Sequence, residues 1–221
     1  MISMKFLAGV ALALGLSSNA NAAITIFTDQ ASFLAALSAP AVDTFQDLSI
    51  GTSLPALTRA IGPYGYTAST DVSTLYGVGA PANPWLSSEY ALATITFGNF
   101  TGGVVGLGGD FFTTMREGNH FPGTVTLTAT DADGSVSRQI VNASTSSFLG
   151  FLSTSGLTSV NLSAVQPVSQ PLWPTADNLI LGGQISSAVP EPATWAMMII
   201  GFGAIGSMVR ASRRRNAVAA A

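Results

Sequence analysis

Few side chains of this sequence can carry acid–base or nucleophilic chemistry, because the chain has one histidine and no cysteine. His120 is therefore the single imidazole base that a Ser-His-Asp triad could use. It lies in the polar stretch 116–122, without the G-x-S-x-G motif of a strained nucleophile turn. Zinc sites built on thiolates and catalytic metal centres rich in histidine are excluded as well. We interpret His120 as a surface-loop residue.

Carboxylates offer a second chemistry, glycoside hydrolysis, which needs two acidic side chains facing each other across a sugar. Glu89 and Glu117 are the two glutamates of the segment 24–189, and Asp110 or Asp177 could partner either of them. Nothing in their spacing brings these residues together, and solvated surface acids explain them more simply. A glycoside hydrolase is therefore the least favoured interpretation.

Aromatic residues near prolines offer a third chemistry, the stacking of exposed rings on sugar faces. Rings of this kind occur at Tyr64, Tyr66, Tyr76, Trp85, Tyr90 and Trp173. We take Tyr64, Tyr66, Trp85 and Trp173 as the candidate stacking residues. The simpler interpretation is that these rings tuck into the ends of the domain, as large apolar bodies usually do.

These side chains must be positioned by a region that is rich in Ser, Thr and Gly and carries short β-branched runs. Residues 124–130 alternate polar and apolar strictly, and residues 135–141 resume extended structure after the turn at 131–134, which predicts an antiparallel hairpin. Further strands are predicted at residues 24–27, 91–97, 104–107, 147–152, 157–162 and 178–185. One short helix is predicted at residues 30–37, capped by Asp29 or Ser32.

Many short strands separated by turns predict an all-β fold, a β-sandwich similar to a jelly roll. The glycine cluster at 106–109 lacks the helix and lysine of a phosphate-binding loop, so we interpret it as the edge of a strand. The stretch that starts at Asp131 begins like a calcium loop, but Asn142 stands where an EF-hand requires Glu. Asp131 to Gly134 is therefore predicted to be a hairpin turn.

The N-terminus has the parts of a secretory signal peptide in their proper order. Lys5 precedes an apolar run at residues 6–16, which is shorter than the roughly 20 residues that span a bilayer core. Ala20 and Ala22 form an A-x-A cleavage site, so we predict that the mature chain begins at Ala23.

The C-terminus carries a second apolar segment, residues 193–209, which has no charge and is followed by four arginines. Its length lies at the short end of the range of about 17–25 residues that span a bilayer. Arginines on one flank keep that end in the cytoplasm. The segment is predicted to be a single transmembrane helix, with everything before it exported.

The segment 24–189 is acidic, with three basic residues against ten acidic ones and a formal charge of −7. Arg59, Arg116 and Arg138 are its basic residues, and they do not cluster in the sequence. Binding of nucleic acid through phosphate contacts is therefore excluded. The domain also forms without disulfides, so packing and hydrogen bonds must hold it.

The C-terminal segment carries a specific combination of motifs. A P-E-P motif precedes an apolar span with Trp at its entry, a G-F-G element and the arginine cluster. The matching positions are Pro190, Glu191, Pro192, Trp195, Ala196, Gly201, Gly203, Arg210, Arg213, Arg214 and Arg215. This pattern resembles the PEP-CTERM sorting domain in its PEPxxWA form. An ordinary single-span anchor would keep the span and the arginines but would not require P-E-P.

The resemblance implies that exosortase, an integral-membrane protease, recognises the tail and removes or transfers the protein near the P-E-P motif. It also implies a Gram-negative bacterium that makes exopolysaccharide. The Sec translocon and signal peptidase would export the chain, which would be anchored transiently in the inner membrane. Its destination would be the envelope surface or the extracellular matrix.

The preferred interpretation is a non-enzymatic structural component associated with exopolysaccharide or biofilm. A carbohydrate-binding module with a specific glycan ligand is the alternative, and a secreted glycoside hydrolase is the third. No cofactor is expected, although jelly rolls often carry a structural calcium ion that Asp residues could bind.

The predicted organisation has five parts. They are a signal peptide at 1–22, a β-sandwich domain at 23–186, a linker with the P-E-P motif at 187–192, a transmembrane segment at 193–209 and a cytoplasmic arginine-rich tail at 210–221.

Overall fold

The structure, a computed structural model, describes residues 24–185, 197–203, 205 and 210. The signal peptide predicted at 1–22 and its cleavage residues Ala20, Ala22 and Ala23 lie outside the described residues. The chain divides after Gln184 into a β-domain and a C-terminal segment.

The β-domain consists of short strands and one short helix. In chain order these are β1 (Thr25–Phe27), α1 (Gln30–Ala35), β2 (Leu37–Asp43), β3 (Ser53–Leu54), β4 (Ala56–Ile61), β5 (Tyr64–Thr70), β6 (Leu75–Ala80), β7 (Asn83–Ser88), β8 (Ile95–Thr101), β9 (Gly106–Thr114), β10 (Gly123–Asp131), β11 (Ser135–Ala143), β12 (Phe148–Leu152), β13 (Leu157–Ala164) and β14 (Trp173–Gln184).

The strands form two antiparallel sheets that share one core. The larger sheet has the order β1-β12-β9-β14-β7-β6-β3, and β2 pairs with the second half of β14. The smaller sheet has the order β11-β10-β13-β8-β5-β4. Leu107 and Phe111 of the larger sheet and Val125 and Leu127 of the smaller one belong to the same buried cluster. The prediction of an all-β domain is confirmed.

The hairpin of β10 and β11 shows how local pattern becomes structure. Val125, Leu127 and Ala129 are fully buried, and the threonines between them face outward, as the alternation predicts. In the turn, Asp131 Oδ1 accepts hydrogen bonds from the backbone N–H of Asp133 at 2.9 Å and of Gly134 at 3.0 Å. Both the hairpin and its Asp-Gly turn are confirmed.

Helix α1 lies on the outer face of the larger sheet. Asp29 caps it by accepting a hydrogen bond from the Ser32 backbone N–H at 2.8 Å, and the helix ends earlier than predicted, at Ala35. A Cβ atom at Gly108 or Gly150 would stand 2.7 Å from the ring of Phe33. The ring therefore packs against the sheet only because both positions lack a side chain. The glycine cluster around Gly108 therefore lies inside strand β9, between β12 and β14, and its assignment to a strand edge was wrong.

Strands β2 to β7 are not predicted by the sequence pattern. Four of the six aromatic residues near prolines lie on these strands, Tyr64 and Tyr66 on β5, Tyr76 on β6 and Trp85 on β7. Glycine and proline lower the strand propensity of these segments, but β5 and β7 are each paired on both sides, and this pairing determines their conformation.

Candidate functional site

A cleft of about 710 Å³ opens on the outer face of the larger sheet. Strand β6, the segment after β7, the loop after β9 and the start of β14 form its walls. Its polar and aromatic lining includes Tyr76, Glu89, Tyr90, Arg116, Glu117 and Trp173. The two glutamates and one of the four candidate stacking residues thus meet in one place.

The carboxylate of Glu89 is anchored on one side. Its Oε2 accepts hydrogen bonds from Thr74 Oγ1 at 2.7 Å and from Ser53 Oγ at 3.3 Å. Within residues 24–185, Oε1 accepts no hydrogen bond from a protein group. One oxygen atom of a fixed carboxylate is therefore left to accept a hydrogen bond from a ligand.

Glu117 comes from a tight loop that follows β9. The Met115 backbone N–H donates to the Asn119 carbonyl at 2.9 Å, and the Gly118 N–H donates to the Met115 carbonyl at 2.9 Å. Gly118 has φ +80°, and a Cβ atom there would stand 3.1 Å from Val78 Cβ on β6. Glycine thus lets the loop rest on β6 and holds the exposed Glu117 at the rim of the cleft.

Trp173 forms a wall of the cleft and is fixed by a hydrogen bond. Its indole Nε1–H donates to the backbone carbonyl of Glu89 at 3.1 Å. The ring is half-buried, so part of its surface is accessible. Tyr90, which is 51% exposed, and the half-buried Tyr76 add two further aromatic rings to the lining.

A chain of buried hydroxyls lies beneath the cleft. Ser87 Oγ donates to the Pro174 carbonyl at 2.9 Å, and Thr175 Oγ1 donates to Ser87 Oγ at 3.2 Å. Thr114 Oγ1 lies 2.9 Å from Thr175 Oγ1 and completes the chain as a donor, because the proton of Thr175 is already used. Thr114 is fully buried, so this chain of hydroxyls supports the floor of the cleft from below.

Tyr64 and Tyr66 are core residues, which corrects their assignment as stacking candidates. Tyr64 is 5% exposed and Tyr66 is 1% exposed. The Tyr64 hydroxyl donates to the Ser38 carbonyl at 2.8 Å, and the Tyr66 hydroxyl donates to Asp43 Oδ2 at 2.7 Å. Trp85, partly buried, packs edge-on against Phe112 at 5.0 Å between ring centroids, outside the cleft lining.

His120 is half-buried, and its ring contacts both strand β11 and strand β9. Its Nε2–H donates to the Ala143 carbonyl at 2.9 Å, and its ring packs edge-on against Phe112 at 5.8 Å between centroids. It forms an isolated bridge with Thr114 at the base of the 115–119 loop. The sequence suggested a free surface-loop residue. In the structure His120 is instead tied to two strands.

Asp110 and Asp177 face each other across β9 and β14, away from the residues that line the cleft. Burial raises the pKa of both carboxyl groups. Asn178 binds both, because its Nδ2 donates to Asp110 Oδ2 at 2.9 Å and its backbone N–H donates to Asp177 Oδ1 at 2.8 Å. A hydrolase built on one glutamate and one of these aspartates would need both side chains in the cleft. Neither Asp110 nor Asp177 lines the cleft that contains Glu89 and Glu117.

Metal ligands do not gather in the described part of the β-domain. No group of three or more His, Asp or Glu side chains that could hold a metal ion occurs among the described residues. Asp131 instead uses its carboxylate within its own turn and accepts a hydrogen bond from Ser153 Oγ at 2.7 Å.

The C-terminal segment is described in part. Residues 197–203 are helical and include Gly201 and Gly203, and Arg210 is also helical. Among the described residues, no helix combines the length and the apolar character needed to cross a membrane. The remaining predicted sorting residues, Pro190, Glu191, Pro192, Trp195, Ala196, Arg213, Arg214 and Arg215, lie outside the described residues.

Comparison with known protein families identifies this segment. Residues 188–215 match the family model of the PEP-CTERM protein-sorting motif. The chain carries a PEP-CTERM sorting motif. The PEP-CTERM motif implies export, a place in the envelope or outside the cell, and exosortase as the processing partner.

The other two comparisons add one weak likeness in fold. No curated protein matches the chain. A solved structure of a family 6 carbohydrate-binding module is similar, with 19% identity, 52% of this chain and 87% of that chain covered, and a TM-score of 0.30. At that TM-score the likeness carries no argument about function.

Local sequence signals do not identify the cleft. Glu89, Glu117 and Trp173 are far apart in the chain, and the pairing of β7 with β14 and β9 with β14 brings them together. The two threonines that end strand β9, Thr113 and Thr114, are buried polar residues and are a local signal near the floor of the cleft.

Proposed function

We propose that this protein is a component of the envelope surface or extracellular matrix of a Gram-negative bacterium, delivered there by exosortase. The observation that carries the proposal is the PEP-CTERM motif at residues 188–215, which follows the β-domain. The β-domain is then the exported part, and the apolar segment 193–209 anchors it transiently in the inner membrane.

The role proposed for the β-domain is structural and non-enzymatic, in association with exopolysaccharide or biofilm. Three facts support it. The only histidine binds a backbone carbonyl, Asp110 and Asp177 both bind Asn178 away from the cleft, and many polar side chains of the sheets bond to neighbouring strands. Such a domain resembles a scaffold more than a catalyst.

A carbohydrate-binding module is the second candidate, and the cleft favours it. Three aromatic rings and two carboxylates line a cavity of about 710 Å³, within the 300–1,000 Å³ typical of ligand pockets. The hydrolase proposal has less support, because the catalytic pairing of Glu with Asp110 or Asp177 does not occur in this cleft.

We further propose that the two sheets form a jelly roll. Strands β7, β14, β9 and β12 are successive neighbours in one sheet, and β8, β13, β10 and β11 are successive neighbours in the other. Two interleaved Greek keys produce this order. An experimental structure in which β8 does not pair with β13 would contradict the proposal.

Replacement of the P-E-P motif tests the sorting proposal in the native host. We expect that replacing Pro190, Glu191 and Pro192 together by alanine leaves the chain in the inner-membrane fraction, because exosortase no longer recognises it. The control is Pro167→Ala, an exposed proline of the β-domain, which should reach the surface like the wild type. A triple variant that appears at the surface in wild-type amounts would contradict the proposal.

A further inference from the structure

We propose that the cleft binds an uncharged polysaccharide, with Trp173 stacked on a sugar ring and the carboxylates of Glu89 and Glu117 accepting hydrogen bonds from its hydroxyls. The inference rests on the proposed function in one respect, which is that the polymer lies outside the cell. It assigns a ligand class and a site to the β-domain.

The stacking surface is already in place before any ligand arrives. The hydrogen bond from Trp173 Nε1 to the Glu89 carbonyl, 3.1 Å long, fixes the ring, so little side-chain entropy is lost on binding. An aromatic ring offers a large apolar surface to the C–H groups of a sugar ring. Tyr76 and Tyr90 extend this surface along the cleft, as a chain of several sugars requires.

The polar groups of the cleft match sugar hydroxyls. Glu89 Oε1 accepts no hydrogen bond within residues 24–185, while Oε2 is held by Thr74 Oγ1 at 2.7 Å. Glu117 is exposed at the opposite loop and is likewise without a hydrogen-bond donor in that range. Hydroxyls that donate to carboxylates form charge-assisted bonds, which are stronger than neutral ones.

The charges of the cleft select against acidic polymers. Among the lining residues, Glu89 and Glu117 are negative and Arg116 is the one cation, and the whole segment 24–189 carries a formal charge of −7. A uronic acid in the cleft would place a third carboxylate beside two others and would be repelled. An uncharged chain avoids this repulsion and still supplies the hydroxyl donors.

Affinity electrophoresis of the full-length chain in mild detergent tests the inference. The gels contain dextran, mannan, a soluble mixed-linkage β-glucan, the neutral exopolysaccharide fraction of the host, alginate or polygalacturonate. We expect at least one neutral polymer to retard the protein, and the two uronate polymers to leave its mobility unchanged. Absence of retardation by every neutral polymer, or stronger retardation by a uronate polymer, would overturn the proposal.

Matched variants locate the binding. Trp173→Ala should weaken the binding about tenfold, and Glu117→Gln about fivefold, through loss of the stack and of the charge on the acceptor. Asp133→Asn, an exposed acid of the β10–β11 turn, is the charge-matched control and should bind like the wild type. Glu117 is exposed, so E117Q reports on the cleft even if Trp173→Ala perturbs folding. If E117Q and a folded W173A are both retarded as strongly as the wild type, the assignment of polymer binding to this cleft is overturned.

The experiments distinguish failure of the sorting proposal from failure of this inference. Loss of binding with normal surface delivery removes the cleft as a glycan site and leaves the PEP-CTERM route intact. Normal binding with failed delivery removes the route and leaves the site. Release of reducing ends from the bound polymer would overturn a pure binding role and would make Glu89 and Glu117 a catalytic pair.

Discussion

At the scale of single residues, Asp43 organises the junction between β2 and β5. Its Oδ1 accepts a hydrogen bond from the Phe45 backbone N–H at 3.0 Å, and its Oδ2 accepts one from the Tyr66 hydroxyl at 2.7 Å. Arg59 Nε lies 3.4 Å from the same Oδ2 and its guanidinium also binds Asp47, whose pKa the hydrogen bond from Arg59 lowers. Two hydrogen bonds and one ionic contact thus surround the buried carboxylate of Asp43, as buried charges require.

Tyr66→Phe tests the Asp43 network. We expect the free energy of unfolding to fall by about 1–3 kcal/mol, because the buried Asp43 carboxylate loses a donor and water cannot replace it. Tyr90→Phe is the matched control, since Tyr90 is 51% exposed and its hydroxyl makes no hydrogen bond within residues 24–185. Urea unfolding of both variants measures the difference. Equal midpoints for the two variants would contradict the role of the hydroxyl.

Asp177 gives the domain a distinct response to pH. Burial raises its pKa above the ordinary 3.8, and the nearby Asp110 and Asp43 raise it further against the opposing hydrogen bond from Asn178. A carboxyl group with a raised folded pKa stabilises the fold below its unfolded pKa, and this contribution is lost as the pH rises through the folded pKa. Its share of the stability should therefore increase as the pH falls from 7 towards about 4.

Asp177→Asn tests this response. We expect the variant to gain less thermal stability than the wild type between pH 7 and pH 4.5, because it has no carboxyl group to protonate. Asp133→Asn, an exposed acid, controls for the general loss of negative charge. Thermal unfolding at the two pH values measures each change. The account is contradicted if Asp177→Asn and Asp133→Asn respond alike.

At the scale of elements, the sequence predicts best what is local. The hairpin of β10 and β11 is predictable because its alternation and its Asp-Gly turn lie within one stretch of chain. Strand β9 is predicted only at its start, since its glycines look like turn residues until α1 is seen to pack on them. Tyr64 and Tyr66 are misassigned because their burial depends on β2 and β14, which are distant in the sequence.

Gly108→Ala tests the packing of α1 on β9. A Cβ atom there would stand 2.7 Å from the Phe33 ring and 2.9 Å from the Phe148 ring, so these rings must shift. We therefore expect a loss of about 1–3 kcal/mol of stability. Gly98→Ala is the control, because a Cβ atom on β8 would meet its nearest neighbour, the Thr158 carbonyl oxygen, at an ordinary 3.5 Å. Urea unfolding compares the two. A Gly108→Ala midpoint equal to that of Gly98→Ala would rule out this tight contact.

At the scale of the whole molecule, the chain joins an acidic β-domain to a PEP-CTERM tail. The tail is recognisable from sequence alone, because exosortase reads a linear motif and the residues of that motif are contiguous. The cleft is not, because Glu89, Glu117 and Trp173 become neighbours only through the order of strands in the larger sheet. Linear signals are thus visible in the sequence, whereas assembled sites require the fold.

The intact mass of the protein from the surface and the medium of its host, with and without exosortase, tests the central claim most directly. The account predicts a protein that lacks residues 1–22 and also lacks the residues beyond the P-E-P motif, the second loss occurring only in the strain that has exosortase. A mass that retains Trp195 through Arg215 in both strains would contradict it, since the tail would then be an ordinary membrane anchor.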